Sequence, residues 1–185
     1  MLHDAGCETI AVNCAVRSWM LAHQNPIAHR LFAWASAVGS FRFVFWTSVL
    51  VACYLMVVGR RRGVVACLLA PVLALATYTG IRRFYQHARP PSAAGLAEAT
   101  SSFPSAHSTA STAVYCTLAY VLWREKMLPA PAALAVAIVA PLLIGVSRLY
   151  LDVHWATDVV GGWVAGILIA GAARLAYNRS RLDDY

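Results

Sequence analysis

Residues 147–158 read SRLYLDVHWATD, and four of them ionise: Arg148, Asp152, His154 and Asp158. His154 and Asp158 are four apart, so on a helix they are neighbours on one face. A carboxylate that holds one imidazole nitrogen fixes the tautomer and makes the other nitrogen a better nucleophile or base. A helix N-terminus at that point favours a neutral imidazole and a bound anion. Asp152 is expected to cap a helix that begins at Val153. Arg148, across the loop, completes an anion clamp. Taken alone, the stretch also fits a structural His–Asp contact or a pair of metal ligands.

Two other stretches carry related chemistry. In RRFYQHARP, residues 82–90, Arg82 and Arg89 are seven apart, two helical turns, and are expected on one face. Arg83 points elsewhere, and Pro90 and Pro91 are expected to end the helix. Two guanidiniums on one face suit a phosphate, which arginine binds in bidentate fashion. The ordinary alternative is a pair of arginines snorkelling to lipid headgroups. In FPSAHST, residues 103–109, Pro104 fits the first helical position. The following N–H groups and the Ser105 hydroxyl then form an anion site, with His107 in the same turn. The ordinary alternative there is a capped helix start with an incidental histidine.

The elements that must position these groups follow from composition. The chain has 185 residues, 60% hydrophobic and 12% charged, with mean hydropathy +0.61. A soluble domain carries about a quarter charged residues. The apolar residues come in blocks, which predicts an all-α polytopic membrane bundle in one domain over 1–185. Five spans are expected, at about 41–58, 64–84, 104–123, 129–149 and 155–177. Residues 1–40 precede this core as an amphipathic or sixth spanning segment, and 178–185 form a cytoplasmic tail. Pro71 and Pro141 fall inside spans, where neighbouring helices can satisfy the freed carbonyls. The five cysteines read as small apolar residues. On one helix, Cys7 and Cys14 would stand about 10 Å apart, too far for a bridge.

Net charge is +7, and the arginines flank apolar runs, so topology explains it better than nucleic acid does. GRRRG at 59–63, WREKM at 123–127 and the basic tail fall on one side if the spans alternate. The three chemical stretches then share the opposite, outer side, where Arg82, Arg89 and Arg148 run against the positive-inside bias. Ionisable groups at a membrane edge are functional by default. Together these groups suit phosphoryl transfer: arginines hold the equatorial oxygens, one histidine attacks and the other protonates the leaving oxygen.

The three stretches resemble the motifs of the type-2 phosphatidate phosphatase family, the integral membrane lipid phosphatases whose site is shared with vanadate-dependent haloperoxidases. Arg82…Arg89-Pro90, Pro104-Ser105-Ala106-His107 and Ser147-Arg148…His154…Asp158 occur in the family's order and spacing. Two positions depart from it: Arg82 stands for lysine and Ala106 for glycine. The resemblance implies that His154 attacks phosphorus and forms a phosphohistidine, that Asp158 orients it, and that His107 protonates the leaving group and then activates water. It implies that Arg82, Arg89, Arg148, Ser105 and the Ala106 turn bind the phosphate, with no metal and no cofactor.

The expected function is a cell-membrane lipid phosphatase with an extracytoplasmic site, acting on a polyprenyl diphosphate such as undecaprenyl diphosphate. Phosphatidic acid, phosphatidylglycerol phosphate and lipid A phosphates are alternatives. So is phosphotransfer to an acceptor alcohol; a haloperoxidase or a transporter is more remote. Expected partners are the lipid phosphate and membrane lipid. Gly162 and Gly166 mark either a dimer or a helix contact within one chain. The 91–103 loop is a candidate lid.

Overall fold

The structure is a computed structural model in which residues 10–93 and 101–179 are described. Seven α-helices lie among these residues: α1 (Ala11–Ala22), α2 (Pro26–Val38), α3 (Phe41–Val57), α4 (Arg62–Phe84), α5 (Ala106–Arg124), α6 (Ala130–Tyr150) and α7 (Ala156–Arg179). A 3₁₀ turn occupies Pro91–Ala93, and the described residues contain no strand. The all-helical class is as expected, and α3 to α7 start and end within two residues of the five expected spans.

Three helices, α4, α6 and α7, are long and apolar enough to cross a membrane, and the bent α2–α3 pair, with its 51° kink, makes up to four. Five crossings are therefore not reached on length and composition. The shortfall at α5 has a physical reason. Eleven of its 19 residues are buried, five of them Ser or Thr, because this helix threads the middle of the bundle and faces protein on most sides. Its neighbours present Leu50, Val72, Ile167 and Leu168 outward, as lipid contact requires.

The core is built largely of alanine, with Ala66, Ala70, Ala74, Ala110, Ala113 and Ala173 all inaccessible. Small residues let helix backbones approach closely, which is how packing is gained inside a bilayer. Helices α5 and α7 approach backbone to backbone. A Cβ on Gly162 would fall 2.7 Å from Ser108 Cβ and 2.9 Å from the Ser105 carbonyl oxygen; one on Gly166 would fall 2.5 Å from Thr112 Cβ. The two glycines thus serve a contact within the chain. Pro141 cannot donate to Ala137 O, and the Cys116 thiol of α5 does so instead at 3.4 Å. That is the neighbour-helix rescue expected at such prolines.

Among the described residues, the N-terminal segment is not one continuous helix. Helix α1 has 12 residues, about 18 Å long against a hydrocarbon core of about 30 Å. It stays at one end of the bundle, while α2 runs along α6 and bends into α3. The Cys14 expectation is corrected: Cys14 is disulfide-bonded. Ile10 is extended and the helix starts at Ala11, so the two-turn separation assumed for a continuous helix does not apply. Cys7 lies outside the described residues, while Cys53, Cys67 and Cys116 are free.

The two bundle ends carry different polar clusters. At one, Glu125 pairs with Arg60 at 3.5 Å and accepts from Tyr177 Oη at 2.6 Å, drawing together the 59–62 turn, the 125 turn and the end of α7. At the other end, the close of α4 and α6 meets the start of α5 and α7. All three chemical stretches lie there.

Candidate active site

Four helix ends and two loops deliver the site. Helix α4 stops at Phe84, the end of the expected span but well before Pro90, and residues 85–90 form a loop. Arg82 and Arg89 therefore do not share a helix face; the loop folds Arg89 back. Trp155 Nε1 holds that fold by donating to Ala88 O at 2.8 Å. Arg82 is half-buried and turned inward, donating to Pro104 O through Nε at 3.2 Å and Nη2 at 2.9 Å. Arg83 is exposed.

Helix α5 begins at Ala106, two residues later than Pro104 would place it, with Ser105 as N-cap accepting from Ser108 N at 3.4 Å. Ala106 is the first helical residue and its φ is not positive, so a side chain is accommodated where the family pattern has glycine. His107 follows in the first turn and lies within electrostatic reach of Arg82, Arg89, Arg148 and His154. Ser105 N donates to Asp158 O at 3.0 Å, tying this helix start directly to α7.

The His154–Asp158 pair forms as the spacing required. His154 Nδ1 faces Asp158 Oδ2 at 3.3 Å, and the same oxygen accepts from Trp155 N at 2.9 Å. Asp158 is wholly buried. Its hydrogen bond holds the Nδ1–H tautomer, which leaves the Nε2 lone pair directed away. Arg89 Nη1 lies 3.2 Å from that Nε2 and donates to Val153 O at 3.0 Å. Burial pushes His154 down to about 4, with the Asp158 hydrogen bond opposing, so the imidazole is neutral at pH 7. Burial also lowers Arg89 from its ordinary range, and Asp158 opposes that as well.

Asp152 is not a helix cap. Helix α7 begins at Ala156, and the Asp152 carboxylate is gripped by Arg17 of α1. Three more groups escaped the sequence reading. Ser102 Oγ donates to Asp158 Oδ2 and lies 3.3 Å from His154 Nδ1. His87 Nδ1 stands 3.1 Å from Asp158 Oδ1, so this one carboxylate faces two histidines. Ser36 of α2 takes a hydrogen bond from Arg148 Nη1. Only His87 had a signal in the sequence, being two residues from Arg89; the serines had none. Residues 94–100 of the candidate lid lie outside the described residues.

The arrangement leaves donors without acceptors. Arg89 Nε and Arg148 Nε are buried with no hydrogen-bond partner. Buried donors are rarely left so, and each calls for an acceptor supplied from elsewhere. Three guanidiniums against one carboxylate leave two positive charges, which a phosphate dianion neutralises. A neutral imidazole with a free Nε2 stands beside them.

Fold and site together define an integral membrane helix bundle with three arginines, two histidines and a buried aspartate gathered at one end. The chain belongs to the PAP2 superfamily, whose profile matches residues 63–182. It is 36% identical over 92 residues to phosphatidylglycerophosphatase B of Bacillus subtilis (strain 168). That match covers 48% of this chain and 45% of the relative, so the chain spans about half the length of the curated relative it matches. The crystal structure of a transmembrane PAP2-type phosphatidylglycerolphosphate phosphatase from Bacillus subtilis superposes with TM-score 0.77 at 25% identity, over 94% of this chain and 87% of that one. The structure of Aquifex aeolicus LpxE shares the fold with TM-score 0.69 at 21% identity, over 90% and 96% of the two chains.

Proposed function

We propose that this protein is a metal-independent membrane lipid phosphatase working through a phosphohistidine. The observation that carries the reading is the pair of unpartnered buried guanidinium nitrogens, on Arg89 and Arg148, around an imidazole whose far nitrogen is held by Asp158.

His154 Nε2 attacks phosphorus in line, forming the N–P bond as the P–O bond to the leaving group breaks. Arg82, Arg89, Arg148 and Ser105 hold the non-bridging oxygens as their charge develops. Arg89 Nη1, now beside Nε2, transfers its hydrogen bond to a phosphate oxygen as the lipid enters. His107 gives its proton to the leaving oxygen, then takes one from water. That water attacks the phosphohistidine, breaking the N–P bond and releasing inorganic phosphate. Asp158 balances the positive charge that His154 gains in the first step and gives up in the second. The arginines supply the positive charge that metal ions bring to other phosphoryl-transfer sites.

Two substrate classes are carried forward. A polyprenyl diphosphate such as undecaprenyl diphosphate fits an extracytoplasmic site whose ligand keeps its tail in lipid. Phosphatidylglycerol phosphate is favoured by the name carried by the Bacillus subtilis matches, in sequence and in structure. The arginines at 60–62 and 124, at the bundle end remote from the site, support an outward-facing pocket in the cell membrane by the positive-inside bias.

The test is phosphate release from a panel of lipid phosphates in detergent with chelator present. Turnover that survives chelation, is blocked by vanadate and is absent in His154→Ala supports the reading. Activity abolished by chelator refutes the metal-independent mechanism. A folded sample that releases no phosphate from any member refutes the phosphatase.

A further inference from the structure

Asp152 lies two residues before His154 with its backbone in the left-handed region, at φ 53. Glycine adopts that conformation freely; among residues with side chains, Asn and Asp tolerate it best. The side chain kept there is fully engaged. The carboxylate is buried, and Arg17 of α1 takes both oxygens, Nε to Oδ1 at 2.9 Å and Nη2 to Oδ2 at 3.0 Å. The same guanidinium lies 5.8 Å over the Trp155 ring. One turn earlier on α1, buried Asn13 exchanges two hydrogen bonds with Thr157, both 3.2 Å. The bond from Thr157 N satisfies an orphan N–H at the start of α7.

The opposite side of the loop is held too. Ser92 Oγ donates to Asp152 O at 2.8 Å, and Arg89 Nη1 to Val153 O at 3.0 Å. His154 thus sits in the middle of a short backbone segment clamped between α1 and the 89–92 segment.

We propose that Arg17 is a positioning residue for His154, and that α1 is a working part of the reaction centre. Through its fork on Asp152, Arg17 sets the aim of Nε2 at phosphorus. This inference rests on the reading of His154 as nucleophile. In-line attack needs reacting atoms about 3–3.5 Å apart, and a displacement of about 1 Å costs about 100-fold. Because the clamp acts on aim and not on the grip of the phosphate, kcat falls while KM holds.

Steady-state kinetics on full-length protein in detergent test it, with each variant first checked for monodispersity and melting. Arg17→Gln is expected to lower kcat about 10- to 100-fold with KM within about threefold. Arg17→Lys, which keeps charge but loses the fork, recovers part of the loss. Ser18→Ala, on the exposed face of α1, keeps wild-type kcat. Asp152→Asn tolerates the backbone angle, and combining it with Arg17→Gln gives little further loss, as for two halves of one contact. It also carries the test alone where Arg17→Gln fails to fold.

A folded Arg17→Gln with kcat within twofold of wild type overturns the inference. So does a loss that appears equally in KM, or losses in the two variants that simply multiply. His154→Ala separates the two levels. If it retains activity, the nucleophile reading fails whatever Arg17 does. If it is inactive while Arg17→Gln turns over normally, only the positioning role fails.

Discussion

Replacing Asp158 by asparagine isolates charge from geometry. Trp155 N and Ser102 Oγ both donate to Oδ2, while Oδ1 faces His87 Nδ1. The amide oxygen can therefore sit only at the Oδ2 position, because the Trp155 N–H cannot accept. The amide nitrogen then takes the Oδ1 position and donates to His87, whose ring can present a lone pair. His154 keeps its Nδ1–H tautomer, and what disappears is one negative charge 3.3 Å from an imidazole that becomes cationic in the transition state. At an effective dielectric of about 20, that attraction is about 5 kcal/mol. A neutral acceptor retains roughly half of a charge-assisted hydrogen bond, leaving a loss of about 2.5 kcal/mol, or about 100-fold in kcat. The assay is phosphate release by wild type and Asp158→Asn, alongside melting in detergent, which should be unchanged within a few degrees. Asp158→Ala, which strands three buried donors on Trp155, Ser102 and His154, should melt earlier by about 2 kcal/mol or more. An Asp158→Asn enzyme within threefold of wild type would refute the charge argument. A loss beyond about 10,000-fold with intact melting would mean that the tautomer is lost, contrary to the placement deduced here.

Other outcomes follow from the same geometry. On the proposed mechanism His154 must be neutral to attack, so the acid limb of kcat/KM assigned to it should fall near pH 4, well below an ordinary histidine. The stability sign is set by the same depression. Between about 6.5, the ordinary histidine value, and 4 the unfolded chain binds a proton that the folded chain does not. The melting temperature should therefore fall as pH drops through that window, and a His154→Gln variant should lose this contribution. Ser102→Ala removes a donor from Asp158 and should lower kcat about 10-fold with little change in KM, measured as above. Gly166→Ala forces a Cβ to 2.5 Å from Thr112 Cβ and should cost about 1–3 kcal/mol in detergent melting. Gly80→Ala, where nothing lies within 4 Å, should cost none of that.

The apolar blocks located α3 to α7 almost to the residue, because a helix in lipid must carry its apolarity continuously. They were a poorer guide to crossing number. Helix α5 has hidden Ser and Thr in the bundle, and α2–α3 bends where a hydropathy reading sees only a break. At the site, the i, i+4 pairing of His154 with Asp158 was legible because it is local. Arg82 and Arg89 were correctly grouped for a wrong reason: periodicity suggested a shared face, and a loop supplied the meeting. The Asp152 error is of the same kind. A carboxylate near a helix start reads as a cap, and its real partner is Arg17, 135 residues away in sequence. Ser102, Ser36 and Asn13 were beyond reach for the same reason, since their partners come from tertiary packing that spacing does not encode.

The seam between α5 and α7 also bears on how a lipid gets in. Gly162 and Gly166 press one backbone onto the other, and Ser105 N bonds to Asp158 O at the seam's top. His107 rides on one of these helices, and His154 stands at the head of the other. The two histidines are in effect mounted on a single rigid chassis, whose spacing cannot breathe without breaking backbone contacts. On the proposed function, an opening toward the bilayer would fall to the periphery, where α2 leans on α6 and reaches the site through the Ser36–Arg148 hydrogen bond. A gate on that flank would let tails of differing bulk enter without disturbing the distance between the two histidines.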